Sequence, residues 1–379
     1  MILSHEHEMV RDMARDFARK SLAPHSAAWE REGRFPREVL TEMGSLGLLG
    51  MTVPPEWGGA GTDYIAYALA LMEIAGGDGA IAIVMSGHNS VGCMPLLGHG
   101  TKEQKERYLK PMARGELISA FALTEPQGGS DASGLRTRAE RRGNGWVLSG
   151  TKRFITSGST ADITLVFAVS DPKAGKRGIS AFLVPTDHPR YEVARIEKKM
   201  GQNASDTCEI VLDEVDLPAD AILGREGDGY RIALGNLEGG RIGIASQAVG
   251  MARAACDIAV RYANDRVTFG KPISEHQGVA FRLADMATQI EAAEQLTLHA
   301  AALKSAGLPS LKEASMAKLF ATEMAERVCS DALQTLGGYG YMEEFGVERI
   351  YRGVRGAKIY EGTNDIQRIV ISRAITGRR

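Results

Sequence analysis

The residue pattern predicts an α+β chain in three parts, helical, then β, then helical. Apolar residues recur at three- and four-residue spacings over 1–116 and again from 225 onward, the period of a helix face. Between them, short alternating runs bounded by turn residues read as strands of a barrel or sandwich. The expected domains are an all-α domain at 1–116, a β domain at 117–224 and a helical bundle at 225–379.

The first part is punctuated by Pro24, Pro36, "PPEWGGAGT" (54–62) and "GGDG" (76–79), which divide it into short helices. Its most apolar stretch, Tyr64–Met85, is cut by Glu73 and by "GGDG", so it reads as two buried helical pieces rather than one membrane span. "HEHE" at 5–8 suggests a metal site. On a helix, however, His5 and His7 point about 200° apart, and a solvated helix start is expected. In the second part the strand candidates are 119–125, 145–156, 162–170, 178–185, 191–197 and 208–218. The basic stretch Arg136–Arg142 reads as a solvated strand face. In the third part, segments near 228–266, 274–306 and 311–336 have helical phasing and suit an antiparallel bundle.

Composition narrows the function. The 379 residues are 44% hydrophobic and 24% charged, ordinary for a globular chain. A net charge of −2 with no basic run gives no footprint for nucleic acid or an anionic membrane. Cys93, Cys208, Cys256 and Cys329 are scattered, which argues against a paired-cysteine zinc cluster and a disulfide framework. The first residues show no basic–apolar signal pattern, so a cytoplasmic location is expected in a bacterium, or the mitochondrial matrix for a processed eukaryotic chain.

Five stretches hold residues suited to chemistry, and each also has a plain structural reading. "FALTEPQGGSD" (121–131) is a strand ending in a Pro-Gly-Gly loop with Thr124, Ser130 and Asp131. It is either a polar turn or a cradle of hydroxyls and free N–H groups for a ring edge or phosphate. "KRFITSGS" (152–159) puts Phe154 and Thr156 on one strand face by the two-residue period, as ordinary β-formers or as a stacking and hydrogen-bonding pair. "NDRVTFGKPISEHQ" (264–277) sets Arg266 before a chain break, in a polar loop or against a pyrophosphate that its planar fork would match. "QTLGGYGY" (334–341) ends a helix in Gly337-Gly338, as a cap or as a close backbone approach to a ligand. In "IYEGTNDIQR" (359–368) a lone Glu361 precedes a helix expected to begin near Asp365, with Asn364 and Gln367 at capping-box spacing.

In this order and on this texture, the stretches resemble the acyl-CoA dehydrogenase family over essentially the whole chain. The resemblance implies an N-terminal helical domain, a central β-barrel or sandwich domain and a C-terminal four-helix bundle, with FAD between the last two. Phe121, Leu123, Thr124, Gly129 and Ser130 fall at the family's first flavin loop, and Ser130 also near substrate. Phe154 and Thr156 fall at its second, with Thr156 near flavin N5. Arg266, Phe269, Gln277, Gln334, Gly337 and Gly338 match residues that reach a neighbouring subunit's FAD, and Thr363 and Asp365 the segment meeting its adenosine diphosphate portion. A homo-oligomer, usually a tetramer, follows from that sharing.

Glu361 matches the family's catalytic base, which removes the proton α to a thioester carbonyl as the β-hydride passes to flavin N5. The implied product is a trans-2-enoyl-CoA, and the implied electron acceptor is electron-transfer flavoprotein. Arg241, Tyr360 and Gly362 are the expected acyl-CoA contacts. Some members place the glutamate instead at the position of Gly240, in "NLEGGRIGIASQ"; Glu238, two residues earlier, would point about 200° away on a helix. Short- and branched-chain members, including isobutyryl-CoA dehydrogenases, are the most similar in texture. An oxidase of the same fold, or a member with another chain-length preference, is the alternative. One departure stands out: the family's usual Arg-Asp is Arg352-Gly353 here, which is expected to loosen the helix before Glu361.

Overall fold

The computed structural model describes residues 1–377. The first domain contains α1 (His5–Phe17), α2 (Ser26–Glu32), α3 (Arg37–Ser45), α4 (Tyr64–Gly77) and α5 (Gly79–Gly87), then short helical turns over 88–113. A capping box begins α1, in which Ser4 accepts from the His7 N–H and the His7 ring accepts from the Ser4 N–H. The other ring nitrogen, Nε2, reaches Asp63 at 3.1 Å. His7 is therefore not freely solvated as expected, but ties α1 to the start of α4. The apolar stretch does fold as two helices, because Asp78 accepts from the Ala80 and Ile81 N–H groups at 2.7 and 3.0 Å and starts α5. The helical path Gly79–His99 is long and apolar enough to cross a membrane, but it lies mostly buried inside the protein.

The middle domain is an eight-stranded sheet: β1 (Ser119–Ala122), β2 (Arg138–Arg142), β3 (Gly145–Thr156), β4 (Ile163–Val169), β5 (Ile179–Pro185), β6 (Tyr191–Ile196), β7 (Thr207–Leu217) and β8 (Ile222–Leu223). The order is β6-β7-β3-β2-β4-β5-β8, with β1 alongside β4 in parallel register from Ser119 opposite Ile163 to Ala122 opposite Val166. All six expected strands form. The solvated face at 136–142 is β2, and β8 is too short to carry a pattern. One expectation fails locally. The pairing of β3 with β7 slips between Lys152 and Ile155, so Phe154 is the extra residue of a bulge, at φ 57° and 60% exposed. Phe154 and Thr156 are both accessible, but strict alternation is not the cause.

The last domain has three long helices, α6 (Gly229–Asp265), α7 (Gln277–Ser305) and α8 (Leu311–Leu336). Two short ones, α9 (Val347–Gly356) and α10 (Asn364–Thr376), pack on α8. Where a four-helix bundle was expected, three long helices and two short ones form the helical domain. Glycines let α6 press onto the first domain. A Cβ on Gly250 would lie 2.0 Å from the Met72 carbonyl oxygen, and one on Gly243 would lie 2.2 Å from Ser86 Oγ and 2.6 Å from the Tyr67 hydroxyl. Because the obstacle at 250 is backbone, Gly250→Ala has to move a helix. We expect it to cost about 1–3 kcal/mol, read as a lower unfolding temperature by calorimetry; an unchanged temperature would show that α4 and α6 separate freely.

Candidate active site

Glu361 lies in the turn between α9 and α10, and the turn is built to hold it. Its backbone is left-handed, φ 55°, and Gly362 follows at φ 84°, a conformation that costs a non-glycine residue of the order of 1–3 kcal/mol. Side chains fix it in place. Gln367 Nε2 donates to the carbonyl oxygens of Glu361 and Gly362 at 3.2 and 2.9 Å, and Lys318 Nζ donates to the Gly362 oxygen at 2.9 Å. Among the described residues the Glu361 N–H finds no protein acceptor. Its Oε2 is buried without a hydrogen-bond partner.

The α10 cap differs from expectation. Thr363, not Asn364, is the N-cap, with Oγ1 accepting from the Ile366 N–H at 3.3 Å. Asn364 is buried instead, where it accepts from Lys318 at 2.9 Å and donates to Thr322 and Glu323 at 3.0 Å each. Its spacing to Gln367 imitated a capping box because Gln367 is needed for the turn. Tyr360, an expected acyl-CoA contact, is bonded within the protein through its hydroxyl. Its hydroxyl donates to Gln247 at 2.9 Å and accepts from Gln202 at 3.1 Å, so the hydroxyl braces the turn.

The same network explains the Gly353 departure. Gln202 Nε2 also donates to the Gly353 carbonyl at 2.8 Å. A Cβ at 353 would lie 2.9 Å from Met251 Cε and 3.3 Å from Gln202 Cγ, and one at Gly356 would lie 3.0 Å from the Tyr360 ring. Helix α9 is therefore not loosened. The two glycines admit Gln202 and Tyr360, which join the β domain to the Glu361 turn.

Around the carboxyl stand α6 and α8. A Cβ on Gly240 would lie 2.9 Å from Glu361 Oε2, 3.0 Å from Cδ and 3.1 Å from Oε1, so the rival base position opens onto this same carboxyl. Glu238 faces elsewhere, accepting from Ser310 at 2.7 Å and Lys304 at 3.2 Å. Arg241 is buried, with Nη1 donating to Ser315 at 3.1 Å and Nε unpartnered. Burial pushes the Glu361 pKa up to about 7, against the downward pull of Arg241 and Lys318. Burial likewise pushes Lys318 down to about 7, against the upward pull of Glu361.

The first two expected flavin stretches lie side by side. The Arg153 N–H donates to the Thr124 oxygen at 2.9 Å, and Glu125 bridges to Gly128, leaving Gly129 and Ser130 exposed. Phe121 packs on Phe167 with ring centroids 4.9 Å apart, and Leu123 is half-buried below the loop. Two residues not singled out from sequence shape this loop. Glu125 and Lys152 form a buried ion pair at 2.8 Å. Lys152 also donates to the Leu123 oxygen at 3.1 Å, and Glu125 accepts from the Arg136 and Thr137 N–H groups at 2.6 and 3.0 Å. Burial alone would raise the Glu125 pKa, but Lys152 more than offsets it and holds the carboxyl down at about 2.

The remaining expected residues gather at the other end of α8. Arg266, Thr268, Gly337, Gly338, Tyr339 and Met342 line a groove of about 560 Å³. The Arg266 guanidinium lies 6.0 Å from the Tyr339 ring centroid. Gly337 sits at φ 61° and ψ −132°, and a Cβ on it or on Gly338 would meet nothing. These glycines thus leave the groove open. Gln277, Gln334 and Phe269 are exposed nearby in sequence, Phe269 at 96%, while Thr363 and exposed Asp365 belong to the Glu361 end. From Lys318 to Leu336 along α8 is about 27 Å. One chain therefore holds the two groups apart.

Sequence models for the N-terminal, middle and C-terminal domains of acyl-CoA dehydrogenase match residues 4–116, 120–215 and 227–376. The chain belongs to the acyl-CoA dehydrogenase family. It is 48% identical over 377 residues to an acyl-CoA dehydrogenase of Bacillus subtilis, covering 100% of both chains. It is 46% identical over 370 residues to the mitochondrial short-chain specific acyl-CoA dehydrogenase of Bos taurus, covering 98% of this chain and 90% of the other. The fold matches butyryl-CoA dehydrogenase from Megasphaera elsdenii with TM-score 0.97 and 41% identity, over 99% of each chain. A chain from the structure of the electron transferring flavoprotein of Acidaminococcus fermentans matches with TM-score 0.97 and 43% identity, again over 99% of each.

The protein is thus an oxidoreductase, and acyl-CoA dehydrogenases are FAD-dependent; a glutaryl-CoA dehydrogenase from Mycobacterium smegmatis, 34% identical over 99% of this chain and 95% of that one with TM-score 0.94, is in complex with FADH2. The residues present fit that cofactor. An exposed phenyl ring on a bulge stands beside a loop of free hydroxyls and glycines, and a second, glycine-lined groove offers a guanidinium. Lys152→Met would leave Glu125 buried without its cation, a loss of about 3–5 kcal/mol placed under the Thr124–Ser130 loop. We expect purified Lys152→Met to carry clearly less flavin per chain than wild type, measured by absorbance after gel filtration. A full flavin load would show that the loop holds its shape without the pair.

Proposed function

We propose that this acyl-CoA dehydrogenase α,β-dehydrogenates a short straight or branched acyl-CoA to its trans-2-enoyl-CoA, with Glu361 as the base. One observation carries the assignment: a buried carboxylate oxygen without a partner, held on a strained turn and faced by the bare backbone of Gly240. An α C–H beside a thioester is a weak acid, so a useful base must be desolvated yet ionisable near neutral pH. Burial supplies the first property, and the two cations keep the second within reach. The unbonded Glu361 N–H is a fixed donor for the thioester oxygen, where negative charge develops as the proton leaves. Arg241, with an unpartnered Nε, is the nearby cation for the acyl thioester. Bound FAD would supply the hydride acceptor; Phe154, Thr156 and the Thr124–Ser130 loop would hold it from the β domain.

The 27 Å estimate along α8 supports the second part of the reading. Arg266, Phe269, Gln277, Gln334, Gly337 and Gly338 would serve a neighbouring subunit's FAD, in a homo-oligomer, which we take as a tetramer. Short-chain specificity rests on the similarity to the bovine and Megasphaera enzymes, and electron-transfer flavoprotein as acceptor on the similarity to the Acidaminococcus chain.

Glu361→Gln should keep its flavin and lose turnover by several orders of magnitude in anaerobic single-turnover bleaching; near-normal bleaching would move the base elsewhere. Because the carboxylate form is the active one, the wild-type rate should rise as pH increases through about 7. A panel of acyl-CoAs should bleach the flavin fastest with short straight or branched chains, and preference for long chains would overturn the substrate assignment. The same panel in air, with and without electron-transfer flavoprotein, distinguishes a dehydrogenase from an oxidase of this fold.

A further inference from the structure

Lys318 is fully buried on α8, yet no carboxylate oxygen lies within ion-pair distance of its Nζ among the described residues. Its hydrogen bonds go to neutral acceptors, the Gly362 carbonyl and Asn364 Oδ1, both at 2.9 Å. An ammonium group that is buried and paired only with neutral oxygens is expensive to keep. The other buried lysine, Lys152, has Glu125 at 2.8 Å. What Lys318 has instead is the Glu361 turn, gripped one residue beyond the carboxyl.

We propose that Lys318 is a positioning residue for the dehydrogenation, whose charge keeps the Glu361 carboxylate accessible as a base while its hydrogen bonds lock the turn that presents it. This deepens the Glu361 reading and rests on it. The groups that face the pair are few. From α6 come Arg241 and, turned away towards Lys304 and Ser310, Glu238. From α4 comes the Tyr67 hydroxyl, and from the turn itself Tyr360, tied to Gln202 and Gln247. Glu323, Lys358 and Arg368 lie on the far side of Asn364 and are paired with one another: Lys358 and Arg368 reach Glu323 at 2.8 and 3.3 Å. Glu326, 2.7 Å from Lys358, and Asp365, 3.4 Å from Arg368, complete that ion-pair cluster. Arg241, and Lys318 in its protonated form below about pH 7, are left as the cations acting on Glu361.

Arg241 does not reach the turn. Its Nη1 is bonded to Ser315, one helical turn before Lys318 on α8. Lys318 alone combines charge with a bond to the turn, so it joins the position of the base to its ionisation. Loss of the charge should shift the balance towards the protonated, inactive carboxyl.

The test separates charge from hydrogen bonding. Lys318→Gln keeps a donor for the Gly362 carbonyl but removes the charge. We expect a flavin-loaded enzyme whose acid limb in rate against pH moves up by about one unit, a roughly tenfold loss below that limb, with recovery at high pH. Infrared difference titration of the Glu361 carboxyl, referenced to Glu361→Gln, should show the same upward shift. An unmoved limb and carboxyl titration overturn the proposal, whatever happens to the maximal rate. If no substitution at 318 yields flavin-loaded enzyme, Asn364→Leu removes one of the two acceptors that hold the ammonium and adds no charge: an upward shift supports the proposal, and no shift overturns it. An active Glu361→Gln would sink the base assignment itself; an inactive one beside an unmoved acid limb would sink only the role of Lys318.

Discussion

A carboxyl with one oxygen buried and no donor of its own is the constraint from which the rest of the site follows. Desolvation alone would leave Glu361 protonated over the neutral range, so positive charge must stand near it without neutralising it by direct contact. Arg241 and Lys318 stand in that relation, each bonded to a neutral partner. The turn that presents the carboxyl is strained at Glu361, and strain of this kind persists only where surroundings over-determine it. Gln367, Lys318 and the braced Tyr360 ring do so. The glycines of α6 serve the same end, since a side chain at 240 would take the space in which the carboxyl lies.

The two buried lysines show one residue type used in opposite ways. Lys152 is matched directly by Glu125, and the pair gathers the backbone around the Thr124–Ser130 loop into one shape. Its charges are satisfied, so it is a structural clasp. Lys318 lacks a direct partner, and its field extends to the group that must change protonation. A buried ion pair stiffens a loop, whereas an unmatched buried cation biases an equilibrium beside it.

Much of the fold was legible because long amphipathic segments carry their period openly. The three long helices run close to their expected limits, and all six strands of four or more residues that were expected are present. What escaped was set by tertiary context. β8 has two residues and no pattern of its own. Phe154 follows the alternation of its strand on paper, but a slip against β7 makes it the extra residue of a bulge. Asn364 and Gln367 mimic a capping box, although Thr363 caps the helix and the other two face inward. The motifs were legible in the sequence, and Glu361 was singled out among them as the proposed base. Lys318 was not, because within "ASMAKLFATE" it reads as one polar position on a helix. Only the arrival of the Glu361 turn, from the next two helices, buries it. Gln202 and Lys152 escaped for the same reason.

The bare backbone at Gly240 bears on a residue far along the chain. Its missing Cβ would fall within about 3 Å of all three terminal atoms of the Glu361 carboxyl, so the two positions occupy one volume. A side chain at 240 would push the Glu361 carboxyl aside along its flexible stem, so residue 240 sets where that carboxyl can lie. Two positions far apart in sequence are thereby coupled through one shared volume.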